Sequence, residues 1–474
     1  MSTQYLHGVE TVETEVGGQS VQVVKSAVVA LFGIAPKGPA NALVLCLSDS
    51  DDAQFGDPVP GFNIPKTLQI LRAMAGAFPV MVVNTFNAAT NLKQVTAEVV
   101  AVANGGFSLA NAPIGTITIN SSTGTATTLA LGTDYSVDSY GNVKTLSGQM
   151  TNGTSYQVNY KTLDTATVTP AQLIGSVDGS GNRTGLALYD LAYNTYGYRP
   201  KIFVAPTYSS TPAISAAMAT AAAKQRAVYL LDAPAGTTVA GAIAGRGIGG
   251  AFGFNTADER ALLLYPEIKS YDTAANADTA YPYSAFMAGV IVATDLDPDL
   301  GYWFSPSNKP ITAATGIERV IQWSLNDPGS EANQLNAAGI ITVAAGYGTG
   351  MLAWGNRNAS FPTSSLEKNF ISIRRTDDMV SEAMEQAALP YIDKPITQGT
   401  IDAIREAGNA LLRSLIQRSA VLPGSKVNYN KADNPASQLA AGQIVFERVY
   451  MIPPPAEDIV IKDRLDLSLL SQFN

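Results

Sequence analysis

The sequence predicts an α/β (α+β) fold: a mixed central sheet flanked by helices, with a small all-β domain inserted into it and an extended strand arm at each chain end. Three observations carry this expectation. Short continuous apolar runs, the mark of strands buried on both faces, alternate with segments of helical period. One stretch, 87–172, abandons that pattern for Thr, Ser, Gly and Asn in period-two alternation. Alternating segments near both termini have no adjacent segment with which to pair.

Residues 1–24 read as an N-terminal arm, in which Ser20, Val21, Gln22 and Val23 alternate like a half-buried strand after Gly17-Gly18. In 25–86, the first part of the core, the runs 27–34 and 42–47 are expected as two central strands separated by the turn Pro36-Lys37-Gly38-Pro39. Leu68, Ile70, Leu71 and Met74 give 67–77 a near-helical period, and Pro79 ends it before a strand at 80–86. The stretch 87–172 carries only seven charged residues and is expected as an inserted all-β surface domain, its short strands separated by turns at 121–124, Tyr140-Gly141-Asn142 and Asn152-Gly153.

The second part of the core, 173–457, resumes with a strand at 201–206, an Ala-rich helix at 212–226 and a strand at 227–232. Further apolar runs predict strands at 261–265, 286–293 and 339–345, with 316–325 helical. A strand at 369–374 precedes a helix at 376–389, whose Asp377-Asp378 suit the positive end of its dipole. The helix 400–418 aligns Ile401, Ile404, Gly408, Leu411, Leu412, Leu415 and Ile416 on one stripe, leaving Asp402, Arg405, Glu406, Asn409, Arg413 and Gln417 on the other. A strand at 443–450 and the stop Pro453-Pro454-Pro455 lead to the C-terminal arm, 458–474, where Leu465, Leu467 and Leu469 alternate with polar residues.

Composition excludes several functions. Charged residues are 15% of 474, well below the roughly 25% of an ordinary globular protein, so much of the surface is expected to be covered. A net charge of −9 offers no broad basic face for nucleic acid, and the apolar runs are about half the length of a membrane span. No basic, apolar leader opens the chain, which fits synthesis and use in the cytosol. The single histidine, His7, lies in a polar leader, and the single cysteine is Cys46, so histidine-dependent hydrolysis and soft-ligand metal sites are not expected. No cofactor is implied. The glycines of 241–253 lack the Gly-Lys-Ser/Thr of a phosphate loop. The clusters at 49–52 and at Asp295, Asp297 and Asp299 suit solvated turns better than a glycosidase or Ca²⁺ site. Arg374-Arg375 is open to two readings, phosphate binding or, more commonly, burial against carboxylates.

The order of several motifs resembles the contractile tail sheath family of bacteriophages and R-type pyocins. Residues 28–41, reading VVALFGIAPKGPAN, look like its first core strand and Gly-Pro turn, and Gln54-Phe55-Gly56 resembles its Phe-Gly before the first helix. The run 350–357 resembles its Trp-Gly-x-Arg stretch, with Asn358 where Thr is usual; 370–376 (FISIRRT) resembles its Arg-Arg strand, and 440–457 its strand and Pro-rich closure. The resemblance spans 20–86 and about 201–474, and leaves 87–172 outside.

This resemblance implies a structural, non-enzymatic subunit of a contractile phage tail. Its copies would form a helical, six-fold sheath around an inner tube protein, meet baseplate and terminator proteins, and contract to drive the tube through the host envelope. The expected place is the virion tail, after assembly in the host bacterial cytoplasm. Arg405, Glu406, Arg413 and Arg418 are the candidates for tube contact, against the alternative of an ordinary solvated face. The terminal strands at 20–23 and 465–469 are the candidates for intersubunit pairing. The competing readings are a tail-associated glycosidase using paired carboxylates and a monomeric binding module.

Overall fold

A computed structural model describes residues 25–469 apart from 122–128, 248, 251 and 347. The expected strand at Ser20–Val23 and the histidine His7 lie outside the described residues. The described chain forms two compact units, 25–379 with 452–469, and 380–451.

The larger unit is built on a nine-stranded sheet in the order 309–310, 350–354, 340–346, 261–264, 228–232, 202–204, 29–33, 80–84, 43–46. Its centre is parallel: Val29–Gly33 lies between Val80–Asn84 and Ile202–Val204, and all three strands are fully buried. Strand side chains alternate, so one run feeds two cores. Val29, Leu31, Val80 and Val82 pack with the helices Ile64–Ala75 and Tyr283–Leu296. Val28, Ala30, Phe32, Met81 and Val83 pack on the opposite face with the helix Pro212–Gln225 and the 3-10 segment Gly185–Leu191. This double cover is why these strands read as uninterrupted apolar runs.

Several expectations are corrected. The run 286–293 is the middle of the helix Tyr283–Leu296, not a strand; it is buried on nearly every side, so it shows no polar face for periodicity to detect. That helix packs closely on Ile64–Ala75 because Gly289 has no side chain: a Cβ there would stand 2.6 Å from Cβ of Met74. The strand Leu43–Cys46 is antiparallel and forms one edge of the sheet rather than its centre. Within 316–325 only Gly316–Ile317 is regular, and it is a short strand pairing with Ile268–Asp272. Residues 371–374 open the helix Ile371–Ala388 instead of forming a strand, because Arg374 reaches Asp377 and Asp378 one turn ahead. In 443–450 only Glu447–Val449 is a strand.

Between Leu92 and Leu163 the chain forms two three-stranded antiparallel sheets with their own apolar cluster, which includes Ile119, Tyr135, Val143, Val158 and Tyr160. The chain enters and leaves this section at adjoining points. Asn91 Nδ2 donates to the Thr167 carbonyl (3.1 Å) and to Gln172 Oε1 (3.2 Å), and Gln172 Nε2 donates to the Thr85 carbonyl (2.6 Å). The section also bonds to the core, where the Tyr140 hydroxyl donates to Asp272 at 2.5 Å and Lys66 pairs with the same carboxylate at 3.3 Å.

The smaller unit contains the helix Gln398–Gln417, opened by a Thr397 cap at the amide of Thr400, and the antiparallel pair Lys426–Asn428 and Glu447–Val449. Ile401, Gly408, Leu411, Leu412 and Leu415 are buried as the stripe predicts. Gly408 admits the strand to the helix, since a Cβ there would meet Val427 Cγ2 at 2.9 Å. Asn409, expected on the solvated face, instead holds that strand: its Oδ1 accepts from the Val427 amide at 2.8 Å.

The glycine-rich run 241–253 is organised by Arg246, which donates to the carbonyls of Phe254 (3.0 Å), Ala338 (2.9 Å), Ala359 (2.8 Å) and Phe361 (2.8 Å), and also to that of Thr256. Hydrogen bonds to charged groups contribute about 1.5–3 kcal/mol each, and truncation strands several half-buried carbonyls. Arg246→Ala should therefore lower unfolding stability by at least about 2 kcal/mol, measured by urea denaturation of the subunit.

Candidate assembly surfaces

Several of the chain's charges meet in a largely buried network. Arg374 pairs with Asp377 and Asp378 at 2.7 Å and with Glu259, while Arg260 pairs with Asp378 through both terminal nitrogens. Arg375 grips Asp295 in a two-pronged pair at 2.8 and 2.6 Å, with both side chains almost wholly buried. The arginine pair is thus buried against carboxylates, and Asp295 is not part of a solvated turn. The carboxylates Asp378 and Asp377 and the neighbouring Glu259 hold the Arg374 guanidinium above its ordinary pKa against the opposing effect of burial. Three separate elements are joined here: the residues leading into the strand Ala261–Leu264, the end of Tyr283–Leu296 and the first turns of Ile371–Ala388. The signal for this helix start was present in the sequence, as Arg374 stands three and four residues before Asp377 and Asp378.

The four tube-contact candidates lie on or just after the helix Gln398–Gln417 and all are exposed. Arg405 pairs with Asp402 at 2.9 Å, Arg413 pairs with Glu406, and Arg418 forms the C-cap. The helix presents charge in balanced local pairs.

The C-terminal segment carries a run of exposed apolar side chains. Ile452 is buried, and Arg357 binds Glu457, but beyond that point Ile459, Val460, Ile461, Leu465 and Leu467 are 72–97% exposed. Leu465, Leu467 and Leu469 form no strand within the chain; 467–469 is a single 3-10 turn. The strands Lys426–Asn428 and Glu447–Val449 pair only with each other among the described residues, so each retains an unpaired edge.

At the carboxyl end of Val228–Asp232, Asp232 accepts from the Ser284 amide (2.7 Å), the Ser284 hydroxyl (2.5 Å) and the Ser209 hydroxyl (2.9 Å). Burial raises its pKa to about 6, and the carboxylate ties the start of the helix Tyr283–Leu296 to the sheet rather than facing a cleft. Nearby, burial first and then the carboxylates Glu318 and Asp232 push Glu267 up to about 7. Asp49–Asp52 forms a short helix in which Asp52 binds Arg72 at 2.7 Å. Cys46 is buried, and its thiol is pushed up to about 12 by that burial and by Asp52. Among the described residues no group of three or more His, Cys, Asp or Glu is placed to hold a metal ion, and no helix is long and apolar enough to cross a membrane.

The described fold joins a buried arginine–carboxylate network to an exposed apolar C-terminal segment, and solved sheath subunits share that fold. The contracted helical sheath of the anti-feeding prophage superposes with a TM-score of 0.60 at 17% identity, covering 98% of this chain and 100% of that one. The sheath of an extracellular contractile injection system (PVC) in its contracted state gives 0.58 at 16% identity, covering 99% and 100%. Residues 181–359 match the family described as phage tail sheath protein central domain. The tail sheath protein of Burkholderia phage BcepMu is 40% identical over 470 residues, 98% of both chains, so the likeness runs through the β-rich section as well. That of Escherichia phage P2 is 27% identical over 297 residues, 63% of this chain and 71% of the relative. The chain belongs to the phage tail sheath protein family, a family of structural tail proteins, and neither the glycosidase nor the monomeric-module reading finds support in these relatives.

A raised carboxyl pKa means that the folded chain holds its proton more tightly than the unfolded one, for which 4.5 is the ordinary value. The stabilisation from Glu267 is full below about 4.5 and is lost as pH rises through about 7. The melting temperature should fall between pH 5 and pH 8, and Glu267→Gln should flatten that fall and raise stability at pH 8, as read by calorimetry across the range.

Proposed function

We propose that this protein is the repeating subunit of a contractile sheath that polymerises around an inner tail tube and contracts to drive the tube through the host envelope. The observation that carries the reading is the C-terminal apolar segment, exposed and without a strand partner among the described residues. An exposed alternating segment recruits another chain through strand addition, and the two-stranded sheet of the smaller unit offers free edges to receive one. The segments 1–24 and 458–474 act as intersubunit arms in this reading; fully extended at about 3.3 Å per residue, seventeen residues reach roughly 55 Å, enough to cross to a neighbour.

The relatives' names support a virion tail location, and the titles of the superposed structures support a helical sheath polymer that also meets a baseplate. Six-fold packing, a terminator protein at the sheath end and assembly in the host bacterial cytoplasm complete the proposal. The section 87–172 serves as an inserted surface domain on the outer wall, a reading supported by its own apolar cluster and by the hydrogen bonds that join its two ends. The exposed face bearing Arg405, Glu406, Arg413 and Arg418 meets the tube through pairs that can exchange partners.

The chain truncated after Asp458 should remain a folded monomer that forms no tubes at concentrations where the full chain polymerises; normal tubes by electron microscopy would overturn the arm reading. Exposed ion pairs contribute only about 0–1 kcal/mol each, yet repetition along a tube multiplies them. Arg405→Glu combined with Arg413→Glu should therefore leave tube-free sheath polymers intact and abolish sheath assembly on purified tubes, scored by co-sedimentation in physiological salt.

A further inference from the structure

The C-terminal segment leaves the core along an unusually restrained path. Ile452, at its root, is 4% exposed. Pro453, Pro454 and Pro455 follow, each with φ confined near −65°, so the chain leaves that root as a stiff strut. Two residues later Glu457 is held by Arg357. The guanidinium Nε donates to both carboxylate oxygens, at 3.1 and 3.0 Å, and Nη2 donates to Oε2 as well.

Arg357 is itself immobilised. Its Nη1 donates to Asn369 Oδ1, its guanidinium lies 3.6 Å from the centre of the Phe370 ring and 4.9 Å from that of Phe361, and its backbone bridges to Phe370. A planar cation stacked on aromatic rings and committed to two oxygens has little rotational freedom left. The arginine of the Trp-Gly-x-Arg stretch and the glutamate that closes the Pro-rich stretch, one hundred positions apart, thus meet in a single contact. Immediately past it, from Ile459, the side chains become fully exposed. The Glu457 side chain is 43% exposed, so water could serve its carboxylate in place of Arg357.

We infer that Arg357 and Glu457 form an arm-root clamp: Arg357 is a positioning residue that fixes the point and direction from which the C-terminal arm departs toward the next subunit. The inference rests on the arm reading of 458–474. Its physical effect is on effective concentration, since an arm launched from a fixed root samples a smaller volume and meets its acceptor edge more often than one swinging from Ile452. The clamp acts chiefly on assembly, with a smaller contribution to the stability of the subunit.

The test uses the full chain, Glu457→Gln, Asp458→Asn as a control that removes the neighbouring charge, and the chain truncated after Asp458. Glu457→Gln, whose amide oxygen can still accept from Arg357, should stay folded with a melting temperature within a few degrees of the unchanged chain, raise the critical concentration for polymerisation about three- to tenfold, and broaden the distance distribution between spin labels placed at Thr363→Cys and Lys462→Cys. Asp458→Asn should match the unchanged chain in all three measurements. If the truncated chain fails to polymerise while Glu457→Gln retains both the critical concentration and the narrow distribution, the clamp is refuted and the arm reading stands. If the truncated chain polymerises normally, the arm reading falls and takes the clamp with it.

Discussion

Burial of arginine–carboxylate pairs in a chain with so few charges is the constraint on which the larger unit depends. Arg260, Arg374 and Arg375 engage Asp295, Asp377 and Asp378 where three regular elements converge. Taking such groups out of water is costly, and their mutual attraction recovers that cost only when the geometry satisfies nearly every donor and acceptor. Apolar packing alone would allow the helix Tyr283–Leu296, which is buried almost all round, to rotate or slide between its neighbours. The two-pronged grip of Arg375 on Asp295 at its last turn, and the hold of Asp232 on Ser284 at its first, leave it one orientation. Polar contacts at both ends of an apolar rod set register where dispersion forces do not.

The parallel centre of the sheet was legible because its strands are short, uninterrupted and punctuated by Gly and Pro, as at Val29–Gly33 and Val228–Asp232. The helix Gln398–Gln417 was legible because one face is wet. The failures share a cause. Tyr283–Leu296 is apolar on every face, so nothing in its local pattern distinguishes a helix from a strand, and Leu43–Cys46 carries the composition of a central strand although it ends the sheet. Long-range polar ties were illegible in principle: neither the five carbonyls gathered by Arg246 nor the hold of Asn409 on Val427 leaves a mark in local sequence.

For the assembly surfaces, the sequence showed which residues alternate and which face of a helix is charged. It did not show that Arg405 and Arg413 are already paired with Asp402 and Glu406 on the same helix. Such pairs screen the face from indiscriminate partners while leaving it able to rearrange, because exposed ion pairs are weak enough to exchange. The alternation of Leu465, Leu467 and Leu469 with polar residues was legible locally, whereas their exposure depends on how the rest of the chain packs.

The margins of the nine-stranded sheet carry one more consequence. Its parallel interior is flanked by the antiparallel strands Leu43–Cys46 on one side and Gly350–Trp354 with the two-residue Lys309–Pro310 on the other. An outermost strand of two residues, one of them proline, offers almost no ladder for a foreign strand to extend. A sheath-family subunit that associates with copies of itself is exposed to joining in the wrong way. Blunting this margin of the broad sheet leaves a foreign strand little to extend there and lowers the risk of edge-to-edge fibrillar aggregation.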